Sequence, residues 1–214
     1  MSNLLHIDTS IQAERSVTRQ LTARAAARWR AANPAGTVTY RDIGSNPVPH
    51  LDTAGGSAAA VPPQDHTPAQ AAAYARSVAM IDEIKRADTV LLGLPLYNFG
   101  PPSVVKAWVD RIVVPGVSFD PATHQGLLAG TELIVLAARG GGYGTGTPRE
   151  GWDHAEPWLP HGLSLTGLVP RFITAELTMA ADNPAMAELR PLAAQSLADA
   201  EAEIDTLWAA RMSA

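Results

Sequence analysis

Residues 89–111 read TVLLGLPLYNFGPPSVVKAWVDR, and the reading of this stretch decides the fold. Thr89 to Leu94 is apolar at odd and even positions alike, as a strand covered on both faces of a parallel sheet must be. Pro95 stops that run, Tyr97-Asn98-Phe99 follow, and two prolines then open a helix from Pro102 to Val113. Its spacing sets Val104 over Trp108, and Val105 over Val109 and Ile112.

Upstream, Asn3 to Asp8 (NLLHID) is a short strand, and Val17, Leu21, Ala25 and Trp29 then recur as on one face of a helix. Asn33-Pro34 ends that helix, and Thr37 to Ile43 alternates as a half-buried outer strand does. Gly44 to His66 is rich in Pro, Gly, Ala and Ser without periodicity, so a long loop broken at most by a helical turn is expected. Thr67-Pro-Ala-Gln70 has the spacing of a capping box, and Tyr74, Val78, Ile81 and Ile84 mark the face of a helix to about Arg86.

Downstream, Glu132 to Ala137 is a second fully apolar strand, entering a glycine-rich loop from Arg139 to Gly146. A weaker helix is expected between Asp153 and Leu165, and a fifth strand from Arg171 to Leu177. Asn183-Pro184 should cap a terminal helical region, carrying Leu197, Ile204 and Trp208, that Pro191 kinks or splits. Strands separated by helices predict a single-domain, doubly wound α/β sandwich of flavodoxin-like strand order 2-1-3-4-5. That order sets the loops after strands one, three and four side by side, where such sheets hold ligands.

Composition limits the partners. The 214 residues carry a net charge of −5 with no run of Lys or Arg, so neither nucleic acid nor an anionic membrane is an expected partner. Cysteine is absent, so redox activity would need a cofactor. The six histidines show no ligand spacing, no metal site is expected, and His6 reads as a hydrogen-bonded core residue. With no signal-like N-terminus and no membrane-length apolar run, the chain reads as cytoplasmic.

The first loop offers Ser10, Ser16 and Thr18 at a helix start, where free N–H groups and the helix dipole favour a phosphate, although capping without any ligand explains most such helix starts. It contains neither a P-loop nor a GxGxxG fingerprint. In the second loop, Tyr97-Asn98-Phe99 can wall a flat heteroaromatic ring and reach its polar edge with backbone groups. In the third, the glycines after Arg139 let backbone approach a ligand closely.

Together Ser10, Ser16-Val17-Thr18, Leu96-Tyr97-Asn98-Phe99 with Lys106-Ala-Trp-Val-Asp110, Gly116-Val-Ser-Phe119, Gly126-Leu-Leu128 and Ala138-Arg-Gly-Gly141 resemble the FMN-dependent NADH-azoreductase (NADH:quinone oxidoreductase) family. The resemblance implies that Ser10, Ser16, Val17 and Thr18 hold the phosphate of a non-covalent FMN. It further implies that Leu96, Tyr97, Asn98 and Phe99 line the isoalloxazine and reach its N5 side, and that Ala138, Arg139, Gly140 and Gly141 bond the pyrimidine edge. A homodimer, NADH or NADPH as donor, and a quinone or azo compound as acceptor are implied too. The chain departs from the family at Phe119-Asp-Pro-Ala-Thr-His-Gln-Gly126 and Leu163-Ser-Leu-Thr-Gly167, two regions expected to flank the substrate face.

No residue is expected to be catalytic in its own right: the flavin carries the chemistry, Asn98 and Phe99 position it, and donor and acceptor follow one another in ping-pong order. Two other readings stand beside this one. A flavodoxin-like electron-transfer protein would have no substrate pocket of its own, and a small-molecule-binding module would have no flavin.

Overall fold

The computed structural model describes residues 2–209. Five parallel strands, β1 (Asn3–Asp8), β2 (Thr37–Asp42), β3 (Thr89–Pro95), β4 (Glu132–Ala138) and β5 (Pro170–Ala175), form one sheet in the order β2-β1-β3-β4-β5. Six α-helices accompany them: α1 (Val17–Ala32), α2 (Thr53–Ala58), α3 (Pro68–Arg86), α4 (Ser103–Ile112), α5 (Ala155–Leu163) and α6 (Arg190–Thr206).

β3 is buried along its whole length because alternate residues feed two separate cores. Val90, Leu92 and Leu94 face Ile81, Ile84, Val105, Trp108, Ile112 and Leu159 of α3, α4 and α5. Leu91 points the other way, to Leu21, Ala25, Trp29, Ile204 and Trp208 on the side of α1 and α6. Each fully buried aliphatic side chain contributes about 1.5–3 kcal/mol, so this strand pins the sheet between its helical layers. β2 lies at the edge, and most of its side chains are exposed.

The segment 44–66 differs from the expected loop. It contains α2, whose first turn is capped by Asp52 accepting from the Gly55 N–H at 2.7 Å, and a 3₁₀ turn at Pro63–Asp65. Gly55-Gly56 hides the helix from a reading by propensity. Tertiary anchors supply what propensity lacks. His66 Nε2 meets the carbonyls of Ala58 and Val61 at 3.0 and 2.9 Å, and the fully buried Arg111 donates to the carbonyls of Pro49 and His50 at 2.7 and 2.9 Å.

β5 stops at Ala175, before Leu177 turns to a positive φ of 60°. The terminal region splits as Pro191 requires: a 3₁₀ segment, Pro184–Leu189, precedes α6, and Pro191 sits in the first turn of α6. His6 is buried, but its Nε2 has no hydrogen-bond partner; it lies 3.5 Å from Asp8 Oδ1 and meets Tyr40 edge-on. None of the described helices is long and apolar enough to cross a membrane.

Candidate functional site

Ser16 ends an extended step (φ −77°, ψ 118°) and caps α1, its Oγ accepting from the Arg19 N–H at 3.3 Å and lying 3.0 Å from Thr18 Oγ1. Both hydroxyls are buried, so capping is part of their role. Capping leaves two donors over: the N–H groups of Val17 and Thr18 lie in the first helical turn and find no acceptor among the described residues. Ser10 Oγ lies 3.0 Å from the Tyr97 hydroxyl, which also accepts from the Ile11 N–H, so the first and second loops are bonded together.

Arg19 braces this loop from behind. Its guanidinium donates twice to the Ser10 carbonyl, at 3.2 and 2.7 Å, and forms a forked pair with Asp42 at the end of β2, at 2.9 and 2.7 Å. Burial pushes the Asp42 carboxyl up, but hydrogen bonds from Arg19 and Ser45 outweigh it and hold it at about 2, below its ordinary 3.8. A depressed carboxylate stabilises the fold above its unfolded value and loses that contribution as pH falls through about 4 towards 2. Asp42→Asn is therefore expected to remove about 1–2 kcal/mol at pH 6 and much less at pH 2.5. Urea midpoints at the two pH values check this, and an equal loss at both would mean that the pair adds no pH-dependent stability.

The second loop is a tight turn. Tyr97 and Gly100 exchange N–H···O bonds of 2.9 and 3.1 Å, and Asn98 and Phe99 between them both have positive φ, 49° and 67°. Asn tolerates this conformation, whereas Phe adopts it at a cost of about 1–2 kcal/mol. The N–H groups of Asn98 and Phe99 have no acceptor among the described residues. Strain at such a point marks a place where conformation serves a purpose other than stability.

Leu96 N–H donates to the Ala138 carbonyl at 3.0 Å, which joins the second loop to the third. Beyond Ala138 the carbonyls of Arg139, Gly140 and Gly141 are all used by the chain after β5, through Thr178, Met179 and Leu177, while the N–H groups of Gly140 and Gly141 stay without acceptors among the described residues. A Cβ on Gly140 would stand 2.6 Å from Met179 Sδ, so any larger residue there would displace the Met179 side chain.

A cavity of about 510 Å³ opens where these loops meet, lined by Ser10, Ser16, Val17, Thr18, Leu96, Tyr97, Ala138 and Gly140. Asn98, Phe99, Arg139 and Gly141 stand outside that lining. The Arg139 side chain is engaged elsewhere: it pairs with Asp153 at 2.7 Å, with Glu176 at 3.0 Å and with Glu156. Burial, above all, pushes the Glu156 carboxyl up, with Asp153 and Glu176 adding to it and Arg139 opposing.

Sequence reasoning missed a fourth wall, Thr178, Met179, Asp182, Asn183 and Pro184 after β5; Arg15, which the sequence places near the site, also lines the cavity. The Asn183-Pro184 break was the available signal for that wall, read only as a helix cap. The two divergent segments at 119–126 and 163–167 pack on each other, with the Leu128 N–H donating to the Thr166 carbonyl at 2.9 Å. They do not flank the cavity as expected, because they connect helix ends to the amino ends of β4 and β5.

These donors fit the mononucleotide implied by the sequence. Hydroxyls, two free N–H groups and Arg15 suit a phosphate, and partnerless N–H pairs at 98–99 and 140–141 suit the polar edge of a flat ring. A second cavity of about 510 Å³, between β2 and α3, offers less: its Arg41 and Glu83 pair with each other and its Asp42 with Arg19. The described residues contain no cluster of His, Cys, Asp or Glu able to hold a metal ion.

Comparison with known proteins bears on the family and the fold. A family model described as a flavodoxin-like fold matches residues 2–201. An FMN-dependent NADH:quinone oxidoreductase of Frankia alni is 42% identical over 205 residues, covering 95% of this chain and 97% of the relative. The enzyme of the same description from Streptomyces avermitilis is 44% identical over 202 residues, covering 94% and 92%. Among solved structures, an azoreductase from Bacillus anthracis superposes with a TM-score of 0.82 at 20% identity, covering 97% of this chain and 99% of that one. A second B. anthracis structure, an FMN-dependent NADH-azoreductase in complex with FMN, has a TM-score of 0.80 at 20% identity, covering 99% and 100%.

Proposed function

This chain belongs to the flavodoxin-like FMN-dependent NADH:quinone oxidoreductase family, and from that premise we propose that it is an enzyme reducing quinones with NADH through one non-covalently bound FMN. The observation that carries the proposal is that one cavity is lined by partnerless N–H groups of the first and third loops, at Val17, Thr18 and Gly140, with Leu96 and Tyr97 of the second loop beside them. When bound, FMN supplies the two-electron carrier that takes hydride from the nicotinamide and passes it to the acceptor.

The chain's own residues do the binding and orienting. Ser10, Ser16, Val17 and Thr18, with Arg15, hold the phosphate. Leu96, Tyr97, Asn98 and Phe99 set the ring at the end of β3, and Ala138, Gly140 and Gly141 meet its pyrimidine edge. Arg139 serves by holding that loop in place through its three carboxylates. Because the cavity walls carry no histidine, general acid–base work falls to water and the rim, and positioning is the protein's main contribution.

Donor and acceptor then use one opening in turn, in ping-pong order. Aromatic azo compounds, flat two-electron acceptors, form a second acceptor class, each azo bond needing two rounds to reach two amines. We also propose a homodimer. Ile11 beside Ser10, Trp152 beside Phe99, and Met179 in the cavity wall are apolar and at least half exposed, and a second copy would cover them. The compartment we assign is the cytoplasm, where NADH is regenerated.

Purified protein should release one FMN per chain, sediment as a dimer at micromolar concentration, and give parallel double-reciprocal lines with NADH and a quinone. FAD in place of FMN would overturn the cofactor assignment. Intersecting lines would overturn the shared opening, and monomeric sedimentation the dimer. Bound flavin without steady NADH:quinone turnover would favour the electron-carrier reading instead.

A further inference from the structure

We propose that Arg149 is the docking point for the diphosphate of the dinucleotide donor, an inference that rests on the oxidoreductase reading above. Arg149 follows Pro148 in the glycine-rich stretch after β4, where length and composition alone suggest a loose surface loop. The structure shows a folded one. Gly146 N–H donates to Glu150 Oε2 at 2.8 Å, Glu150 N–H to the Thr147 carbonyl at 3.1 Å, and Trp152 N–H to the Arg149 carbonyl at 3.1 Å. The loop then ties itself to the second loop through His154 N–H and the Phe99 carbonyl at 2.8 Å.

This fold sets Arg149 Cζ 5.6 Å from the centre of the Phe99 ring. Trp152 and Tyr143 meet the same ring edge-on, at 5.2 and 6.2 Å. A Cβ built on Gly141 would stand 3.8 Å from Arg149 Nη1, so the guanidinium spans the two loops assigned to the flavin ring.

The charge around it is unbalanced. No carboxylate among the described residues pairs with Arg149. Glu150 is engaged by Gly146 N–H, and the nearby Asp153, Glu156 and Glu176 all pair with Arg139. What is left is an exposed guanidinium resting on an aromatic ring, its donor fork free. A weakly hydrated, planar cation held in this way suits bidentate contact with phosphate oxygens.

The donor supplies that anion. Its nicotinamide has to reach the opening beside Phe99, and its diphosphate follows one ribose away, within the span of a long arginine side chain. An uncharged quinone carries no anionic group for Arg149 to pair with. On a chain of net charge −5, a free guanidinium at the rim also draws an anionic donor towards the opening.

The test compares NADH with 1-benzyl-1,4-dihydronicotinamide, which reduces flavins but has no phosphate, using an uncharged benzoquinone as acceptor. Arg149→Ala should lower the ratio of kcat/KM for NADH to that for the benzyl donor at least tenfold, mainly through KM for NADH. Arg149→Lys should lose less. Calorimetric titration of the holoprotein with ADP-ribose, which carries the diphosphate without the reacting ring, should show a matching rise in Kd. An unchanged ratio, or an unchanged Kd for ADP-ribose, would overturn the assignment. Should wild-type protein oxidise neither donor, the oxidoreductase reading fails, and the ADP-ribose titration still decides the role of Arg149.

Discussion

Val17→Pro is expected to raise the Kd for FMN about tenfold to a hundredfold while leaving the stability of the apoprotein within about 1 kcal/mol of wild type. Val17 is the first residue of α1, where proline is tolerated because the N–H there has no intrahelical acceptor. Ser16 before it is already extended, at φ −77° and ψ 118°, the conformation that a following proline demands. The substitution thus deletes one donor and little else. A hydrogen bond to a charged group contributes about 1.5–3 kcal/mol, which sets the expected loss.

Val17 also packs against the core beneath α1 and α6, so Val17→Ala, which keeps the N–H, is the necessary companion. Fluorescence titration of the apoprotein with FMN, together with urea unfolding, reads both quantities. Unchanged affinity in Val17→Pro would mean that this N–H does not meet the phosphate. Equal loss of affinity in both variants would assign the effect to packing. Substituting Ser16 or Thr18 could not separate these roles, because their hydroxyls bond each other and cap the helix.

Arg139→Met should cost about 3 kcal/mol of stability at pH 8 and less as pH falls towards 5. In the native protein one guanidinium, only 13% exposed, sits among three carboxylates. Methionine keeps much of the volume but leaves Asp153, Glu156 and Glu176 facing one another. Their mutual repulsion raises their pKa values in the folded state, starting from a Glu156 that burial already pushes up. A folded state that binds protons more tightly than the unfolded one gains stability as pH falls, so the deficit of the variant shrinks on acidification. FMN affinity should fall as well, since Gly140 and Gly141 follow directly on the released anchor. A variant as stable as wild type at pH 8, or a deficit independent of pH between 5 and 8, would show that the carboxylates are solvated without Arg139.

The elements that were legible in the sequence are those in which each residue obeys a local rule. The both-parity apolar run of β3, the capping box at Thr67 and Gln70, and the proline break at Pro191 are all found where the chain predicts them. The same holds for the first and second loops, because a serine before a helical period and an aromatic between a strand and a proline-opened helix are features of neighbouring residues. The helix at Thr53–Ala58 escaped, because its stability comes from Asp52, His66 and Arg111 rather than from its own glycine-rich residues.

Site residues divide along the same line. Sequence by itself determined which backbone segments could present free N–H groups, since helix starts, tight turns and glycine runs are set by dihedral preferences within a few residues. Only the tertiary structure decided what the long charged side chains do. Arg139 is singled out in the sequence only by its place in the Ala138–Gly141 motif; its side chain pairs with Glu176, 37 positions away, because the pairing of β4 with β5 brings the two together. Arg149 reads as loop and rests on Phe99, fifty residues earlier in the chain, because the loop after β4 folds back over the turn after β3. Dihedral preference acts over a few residues and is written in order along the chain. Charge pairing acts across whatever the sheet brings together, and the physical reason it was not legible is that strand order, not sequence distance, sets those neighbours.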